Sequence, residues 1–466
     1  MRLRLIAGLA LAHLTCAAVP RPADWVPVRW PWNDVSSLEL LSGTPINCLL
    51  LKAYPEALVS AAAGRGLVTL AVVTPTGDVL AAAHRALGAR VTGIVLEGEF
   101  PEGAAAGVRE AAAGTPVIEL TARQRMVAGS SAPVIGTYQG VWPGISIDED
   151  GAKKSGPTAS VWIDTNTGFL RSVRAMLPAA GEIAVWIAND PPAKTAVTGS
   201  RYLQAIADAA ISGARWVLAL DEDFAARLGK HDSAALADWK RMAGLLNYFE
   251  QHPEWRNMQE SSLLALVQDP RKGGLLSGGI LDMIAVKHTP VRPIARQQLT
   301  PKALEGASMA VNVEGDALTA EQKEVLRGFT RGGGTLLTGP PGWKDPTPTA
   351  GKITLEQADL ERINDIWHDV NSMVGRRNLG VRLFNVSSML SNYLASADGK
   401  RAVLHLVNYS DYPVENVAVH YLGNYRHATL VAPEGADKKL EVYETDEGLG
   451  VDLDKVGVCA TVRLEQ

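Results

Sequence analysis

The sequence predicts a multidomain α/β protein: a (β/α)8 barrel, then a smaller flavodoxin-like α/β domain, then a C-terminal antiparallel β-sandwich. Three observations carry this reading. Short apolar runs alternate with Ala-rich segments of helical spacing from residue 45 to about 250. Runs of that kind suit strands covered on both faces, hence a parallel sheet with helices outside it. A second, shorter alternation occupies about 262 to 345, and beyond 378 the texture changes to alternating strands separated by turns such as "ADGK", the pattern of a sandwich.

The chain opens with "MRLRLIAGLALAHLTCAAVPRPADW". Arg2 and Arg4, an apolar run from Leu5 to Leu14 and small residues ending at Ala17 and Ala18 form a secretory signal layout over residues 1–18, with cleavage expected after Ala18. The run is too short for a membrane span, which needs about 20 apolar residues. The expectation is a soluble chain exported to the periplasm or the extracellular space. Lipid anchoring through Cys16 is the weaker alternative, because His13 and Thr15 fit poorly around it.

Barrel strands are expected at "INCLLL" (46–51), "LVTLAVV" (67–73), "VTGIVLEG" (91–98), "PVIEL" (116–120), "PVIGTY" (133–138), "ASVWID" (159–164), "IAVWIAND" (183–190) and "RWVLALDE" (215–222), in a domain spanning 25–258. Segments such as "GDVLAAAHRALGA" and "GSRYLQAIADAAISGA" supply the helices between them, with Gly88 and Gly213 as stop signals. The fourth and fifth crossovers read as abbreviated. An open doubly wound sheet is the rival, but eight strands without a nucleotide fingerprint favour a closed barrel. The second α/β unit, 259–345, holds "LLALVQD", "PVRPIA", "MAVNV", the helix "TAEQKEVLRGFTRGG" and "GTLLTGPPGW". Residues 346–378 read as a linker and a helix, and 379–466 as the sandwich.

Composition excludes several classes. With 47% hydrophobic and 20% charged residues the chain is globular. A net charge of -5 without a basic stripe argues against nucleic-acid binding. Beyond the signal only Cys48 and Cys459 remain, too few for a disulfide scaffold, and Cys48 reads as a small buried hydrophobe. The His residues show no metal-ligand spacing. The Gly-rich stretches lack the dinucleotide and P-loop patterns, and no G-x-S-x-G elbow occurs. Neither a metal nor a cofactor is expected.

Active sites of barrels lie at the C-terminal ends of their strands, and here those ends are acidic. Glu97 and Glu99 end the third run, Glu119 the fourth, Asp164 the sixth, Asn189 and Asp190 the seventh, and Asp221, Glu222 and Asp223 the eighth. Carboxylates gathered in one cleft repel and divide into a proton donor and an anion, which glycosidic-bond cleavage requires, with aromatic faces stacking on the sugar. Asp164 is the first choice for a catalytic carboxylate, with Glu97, Glu119 and Asp221 competing for the partner role. Asn166, Tyr138, Trp142, Trp186 and Asp190 are expected to hold sugar. Bland readings stay open beside these. Asp164, Thr165 and Asn166 would equally cap the helix that begins near Gly168, Glu99, Glu222 and Asp223 would be solvated surface, and Trp162 and Trp186 would fill the barrel.

The order of barrel, flavodoxin-like domain and sandwich, with "LTAEQKEVLRGFTRGGGTLLTGP" in the middle and "KRAVLHLVNYS" opening the last domain, resembles family 42 β-galactosidases and related barrel glycosidases. The resemblance implies a carbohydrate substrate and a middle domain like a class I glutamine amidotransferase without its chemistry. No cysteine lies between residues 49 and 458, so that domain is expected to be structural or to make contacts in a homo-oligomer. The chain departs from the family's pattern: Glu119 lacks the preceding Asn, and the seventh run offers Asn189-Asp190. An α-galactosidase-like layout would select Glu119 and Asp164. The expected function is an exported glycoside hydrolase acting on an oligo- or polysaccharide. The alternative is a glycan-binding or scaffold protein on a barrel without catalysis.

Overall fold

A computed structural model describes residues 20–126, 132–147, 153–155, 165–177, 183–193, 195–268, 288–312, 315–338, 357–375, 380–386 and 388–466. The signal segment, Trp162, Asp164 and the strand expected at 159–164 lie outside the described residues.

Eight parallel strands form the barrel: β1 (Pro27–Arg29), β2 (Cys48–Leu51), β3 (Val68–Val73), β4 (Gly93–Glu97), β5 (Val117–Thr121), β6 (Val134–Thr137), β7 (Ala184–Ile187) and β8 (Arg215–Trp216). A parallel bridge between Val28 and Leu218 joins the last strand region to the first, with the Arg29 amide donating to the Leu218 carbonyl at 2.7 Å. Seven of the eight expected runs are barrel strands. The run at 159–164 lies outside the described residues; β6 pairs directly with β7, Val134 opposite Ala184 and Thr137 opposite Ile187. The missing strand is β1, a short Pro-flanked run just upstream of the first expected strand.

The helices between strands follow the amphipathic segments: α1 (Glu56–Gly64), α2 (Val79–Gly88), α3 (Ala104–Ala111), α4 (Thr167–Met176) and α5 (Gly199–Ala210), then α6 (Glu222–Gly229) and α7 (Ser233–Glu250) after β8. The β5–β6 crossover holds one short 3-10 turn at Arg123–Arg125 among its described residues, as its length implied. Because successive side chains of a strand face opposite sides, each barrel strand splits its apolar residues between two cores. Cys48, Leu50, Leu70, Val95, Ile118, Leu120, Trp186 and Val217 fill the interior with Trp25, while Leu49, Leu51, Ile94, Leu96, Val185 and Ile187 meet the helices.

The second unit is a four-stranded parallel sheet of β9 (Leu264–Gln268), β10 (Arg292–Ala295), β11 (Met309–Asn312) and β12 (Thr335–Thr338), in the order β10-β9-β11-β12. That is the flavodoxin-like order. Helix α8 (Ala320–Arg331) begins with a reciprocal cap in which Thr319 and Gln322 bond each other's backbone. Helix α9 (Gln357–Val374) precedes the sandwich.

The sandwich has a six-stranded and a four-stranded antiparallel sheet. The strand Arg401–Asn408 is buried from Ala402 onward on both faces. Ala402, Leu404 and Leu406 meet the second sheet, whereas Val403 and Val407, with Tyr409 just beyond, join the core that surrounds the barrel. Barrel and sandwich therefore share one continuous apolar core. Polar contacts fasten it: Tyr409 donates to Asp208 Oδ1 at 2.7 Å, Gln204 Nε2 donates to the Asn408 and Ser410 carbonyls at 3.1 Å each, and Tyr248 bonds Thr461 Oγ1 at 2.6 Å.

Candidate functional site at the barrel mouth

The C-terminal mouth is built by parity. Leu50 faces the interior and lies in register with Arg29, so Arg29 points inward and Lys52, two residues beyond Leu50, emerges at the rim. Val95 faces inward, which carries Glu97 to the same mouth. Ala188 faces inward, which brings Asp190 there. Gly136, in register with Trp186, leads likewise to Tyr138.

Arg29 organises these groups. Its Nη1 and Nη2 donate to Glu97 at 2.7 and 2.6 Å, and its Nε lies 3.2 Å from Asp190 Oδ1. β1 and β4 stand three places apart in the ring, so the guanidinium reaches across the opening. Lys52 Nζ meets the other oxygen of Asp190 at 3.1 Å. The arginine is nearly sealed, with 9% of its side chain exposed against 16% for Glu97, whereas Asp190 is 51% exposed and able to meet a ligand.

A second acidic position flanks the first. Glu99 pairs with Arg125 at 2.6 Å, accepts from the Ala122 amide at 3.1 Å and from the Tyr138 hydroxyl at 3.5 Å. Burial, then the nearby Glu99 charge, raises the Tyr138 phenol above its ordinary value, so it stays a hydroxyl able to donate. Between the two glutamates Gly98 has φ +121°, and a Cβ there would come within 2.9 Å of Pro75. Only glycine takes that backbone without strain, and the turn it makes carries Glu97 and Glu99 out of the same strand end.

The loop after β6 is held down in the same way. A Cβ on Gly140 would lie 2.7 Å from both Ile187 and Trp216. The close approach lets its amide donate to the Ala188 carbonyl at 2.8 Å, while Asn189 donates to its carbonyl at 2.7 Å. Trp142 then donates to the Asp190 carbonyl at 3.2 Å. Trp142 is 4% exposed and packs edge-on against Tyr202 and Trp216, so it braces Asp190 from within.

The structure thus brings Glu97, Tyr138 and Asp190 together and separates other candidates from them. Glu119 lies between Ile118 and Leu120, which face the interior, so it faces the helix layer, where it pairs with Arg109 of α3. The physical reason is alternation: one residue along a strand reverses the face. Asp221 is 7% exposed and caps α6, accepting from the Phe224 amide at 3.0 Å and from the Tyr202 hydroxyl at 2.7 Å. Asn166 is fully buried: its carbonyl accepts from Arg123 at 2.6 Å and the Val141 amide at 2.8 Å, and its amide donates to Asp208 at 2.7 Å. That environment places it in a structural hub with no exposed atom for a sugar. Trp186 is fully buried in the barrel beside Trp25, centroids 6.4 Å apart, and fills it. Asp164 lies outside the described residues.

Sequence reasoning missed Arg29 and Lys52. The signal was present in "VPVRWP", where one cation interrupts an apolar run, but a search for acids and aromatics passes over it. Among the described residues no group of three or more His, Cys, Asp or Glu side chains is placed to hold a metal ion, and no helix is long and apolar enough to cross a membrane.

Among solved structures, α-L-fucosidase isoenzyme 2 from Paenibacillus thiaminolyticus aligns with 95% of this chain and 99% of its own, at TM-score 0.59 and 10% identity. A rhamnosidase from Novosphingobium sp. PP1Y aligns over 78% of this chain and 38% of its own, at TM-score 0.47 and 12% identity. A β-galactosidase from Rahnella sp. R3 aligns over 88% and 66%, at TM-score 0.41 and 8% identity. No protein-family model and no curated protein matches the sequence. These neighbours are glycoside hydrolases, and the likeness to the fucosidase, at the level of fold, extends over 95% of this chain.

Proposed function

We propose that the protein is an exported glycoside hydrolase acting at the C-terminal mouth of the barrel, with Glu97 as a catalytic carboxylate and Asp190 and Tyr138 as sugar contacts. The observation that carries this is the convergence of Glu97 and Asp190 on one guanidinium, at the barrel end where such folds place chemistry. An anion fixed there stabilises the positive charge that develops on a sugar ring as its bond breaks, and a second carboxyl group serves the leaving oxygen or a water. Asp164 keeps its candidacy for that second role on sequence grounds alone. Asp190, half-exposed, and the Tyr138 hydroxyl offer an acceptor and a donor to sugar hydroxyls.

A specific observation favours a second reading, carbohydrate binding without cleavage. Each described acid at the mouth is already engaged by a cation: Glu97 by Arg29, Asp190 by Arg29 and Lys52, Glu99 by Arg125. A carboxylate neutralised in this way contributes less to a developing cation. Screening the purified protein against aryl glycosides, α-L-fucosides among them, and polysaccharides separates the readings. Hydrolysis of one class supports the enzyme. Calorimetric binding of a saccharide with no turnover supports the binding reading. Neither cleavage nor binding overturns both.

A further inference from the structure

At the junction of the three domains, on a face the mouth does not use, lies a cavity of about 280 Å³. Arg174 of α4 and Arg256, just past α7, line it from the barrel, Arg292 from β10, and Asn392 from the sandwich strand Met389–Ala395. The carboxylates around it are taken. Glu250 is shared by Arg215 and Arg256, and Glu260 is gripped through both oxygens by Arg171 at 3.0 Å. Among the described residues no acid pairs with Arg174 or Arg292. Arg174 donates to the Arg256 carbonyl at 2.8 Å, and Arg292 to the Glu305 carbonyl at 3.0 Å through both terminal nitrogens.

Polar atoms behind the wall also lack partners. Ser212, 5% exposed, has a buried hydroxyl without a hydrogen bond, as have the Arg292 Nε and the Oδ1 of Asn392, itself 1% exposed. Arg174 and Arg292 are half-buried, and a cation partly withdrawn from water without a counterion carries a desolvation cost. Burial, and for Arg174 the charge of Arg256, disfavours the charged forms of Arg174 and Arg292. Arginine does not relieve this by losing a proton.

We propose that this cavity binds a small oxyanion, a carboxylate, phosphate or sulfate group, held between Arg174 and Arg292. Guanidinium groups suit such anions because their planar N–H forks match the spacing of the oxygens. The volume is far above the roughly 10–15 Å³ that a cavity needs to hold one water, so the anion has room to carry a sugar-sized body. With ligands from barrel and middle domain, an occupant ties the two together.

The test is isothermal titration of the full chain with inorganic phosphate, sulfate and glucuronate, each against chloride at matched ionic strength. The expected result is binding of at least one anion beyond chloride, weakened tenfold or more in Arg174→Gln and in Arg292→Gln and unchanged in the exposed-site control Arg227→Gln. Phosphate or sulfate stronger than glucuronate assigns a free inorganic anion, and the reverse order assigns an acidic sugar. Thermal scans in chloride show that each variant is folded, and Arg174→Lys serves if Arg174→Gln is not. No binding beyond chloride, or equal affinity in wild type and both cavity variants, overturns the proposal.

Discussion

Arg29 decides what the mouth is. An inward-pointing cation near the end of the first strand gathers acids from β4 and from the loop after β7 that would otherwise repel one another. The acids were legible in the sequence because they end apolar runs; the cation was not, because it sits inside one. Parity along a strand separates Glu97 from Glu119, and it depends on where the strand starts, which sequence periodicity locates only within a residue or two. Cys48 is a buried free thiol that packs as a small hydrophobe inside the barrel. Another residue gives a pH signature. His405 is fully enclosed against Trp255 and Phe249, bonds Thr461 at 2.8 Å and feels the charge of His252. Burial, then His252, pulls its pKa down from 6.5 to about 3. The folded state therefore favours the neutral ring. Its contribution to stability is complete above pH 6.5 and is lost as pH falls from there toward 3, with a slope of up to about 1.4 kcal/mol per pH unit. Urea unfolding between pH 7 and 4 should show this slope in the wild type and a shallower one in His405→Gln; equal slopes would exclude the ring as the cause.

At the scale of elements, capping and close approach place the site. Asp221, a catalytic candidate from sequence, instead starts α6, and its second oxygen anchors Tyr202, which in turn packs on Trp142 beneath Asp190. Asp221→Ala should cost about 2 kcal/mol, the sum of a lost cap and a lost buried hydrogen bond, as read from a denaturant midpoint. A stability change near zero would remove Asp221 from this scaffold. The strands from "INCLLL" to "PVIGTY" were legible as continuous apolar runs of the right length. β1 was not, since two prolines and an arginine within "VPVRWP" hide three strand residues. The strand expected at "ASVWID" lies outside the described residues, while β6 pairs directly with β7 and β1 completes the eight described strands.

The whole molecule explains why a barrel of this size carries a sandwich. The central strand Arg401–Asn408 of one sandwich sheet is buried on both sides because its outer face completes the apolar layer around α5 and α7. The order of domains was legible from changes of texture, while this shared core was not, since both faces of the strand at Arg401–Asn408 read alike in "RAVLHLVN". Two glutamates of near-equal standing in the sequence, Glu97 at the mouth and Glu119 facing the helix layer, test the proposed site. The most direct measurement compares turnover of the best aryl glycoside by Glu97→Gln and Glu119→Gln, each checked for a wild-type melting profile. A mouth centred on Glu97 predicts a loss of at least a hundredfold in the first and near-normal turnover in the second. Full activity in Glu97→Gln, or loss confined to Glu119→Gln, would contradict it.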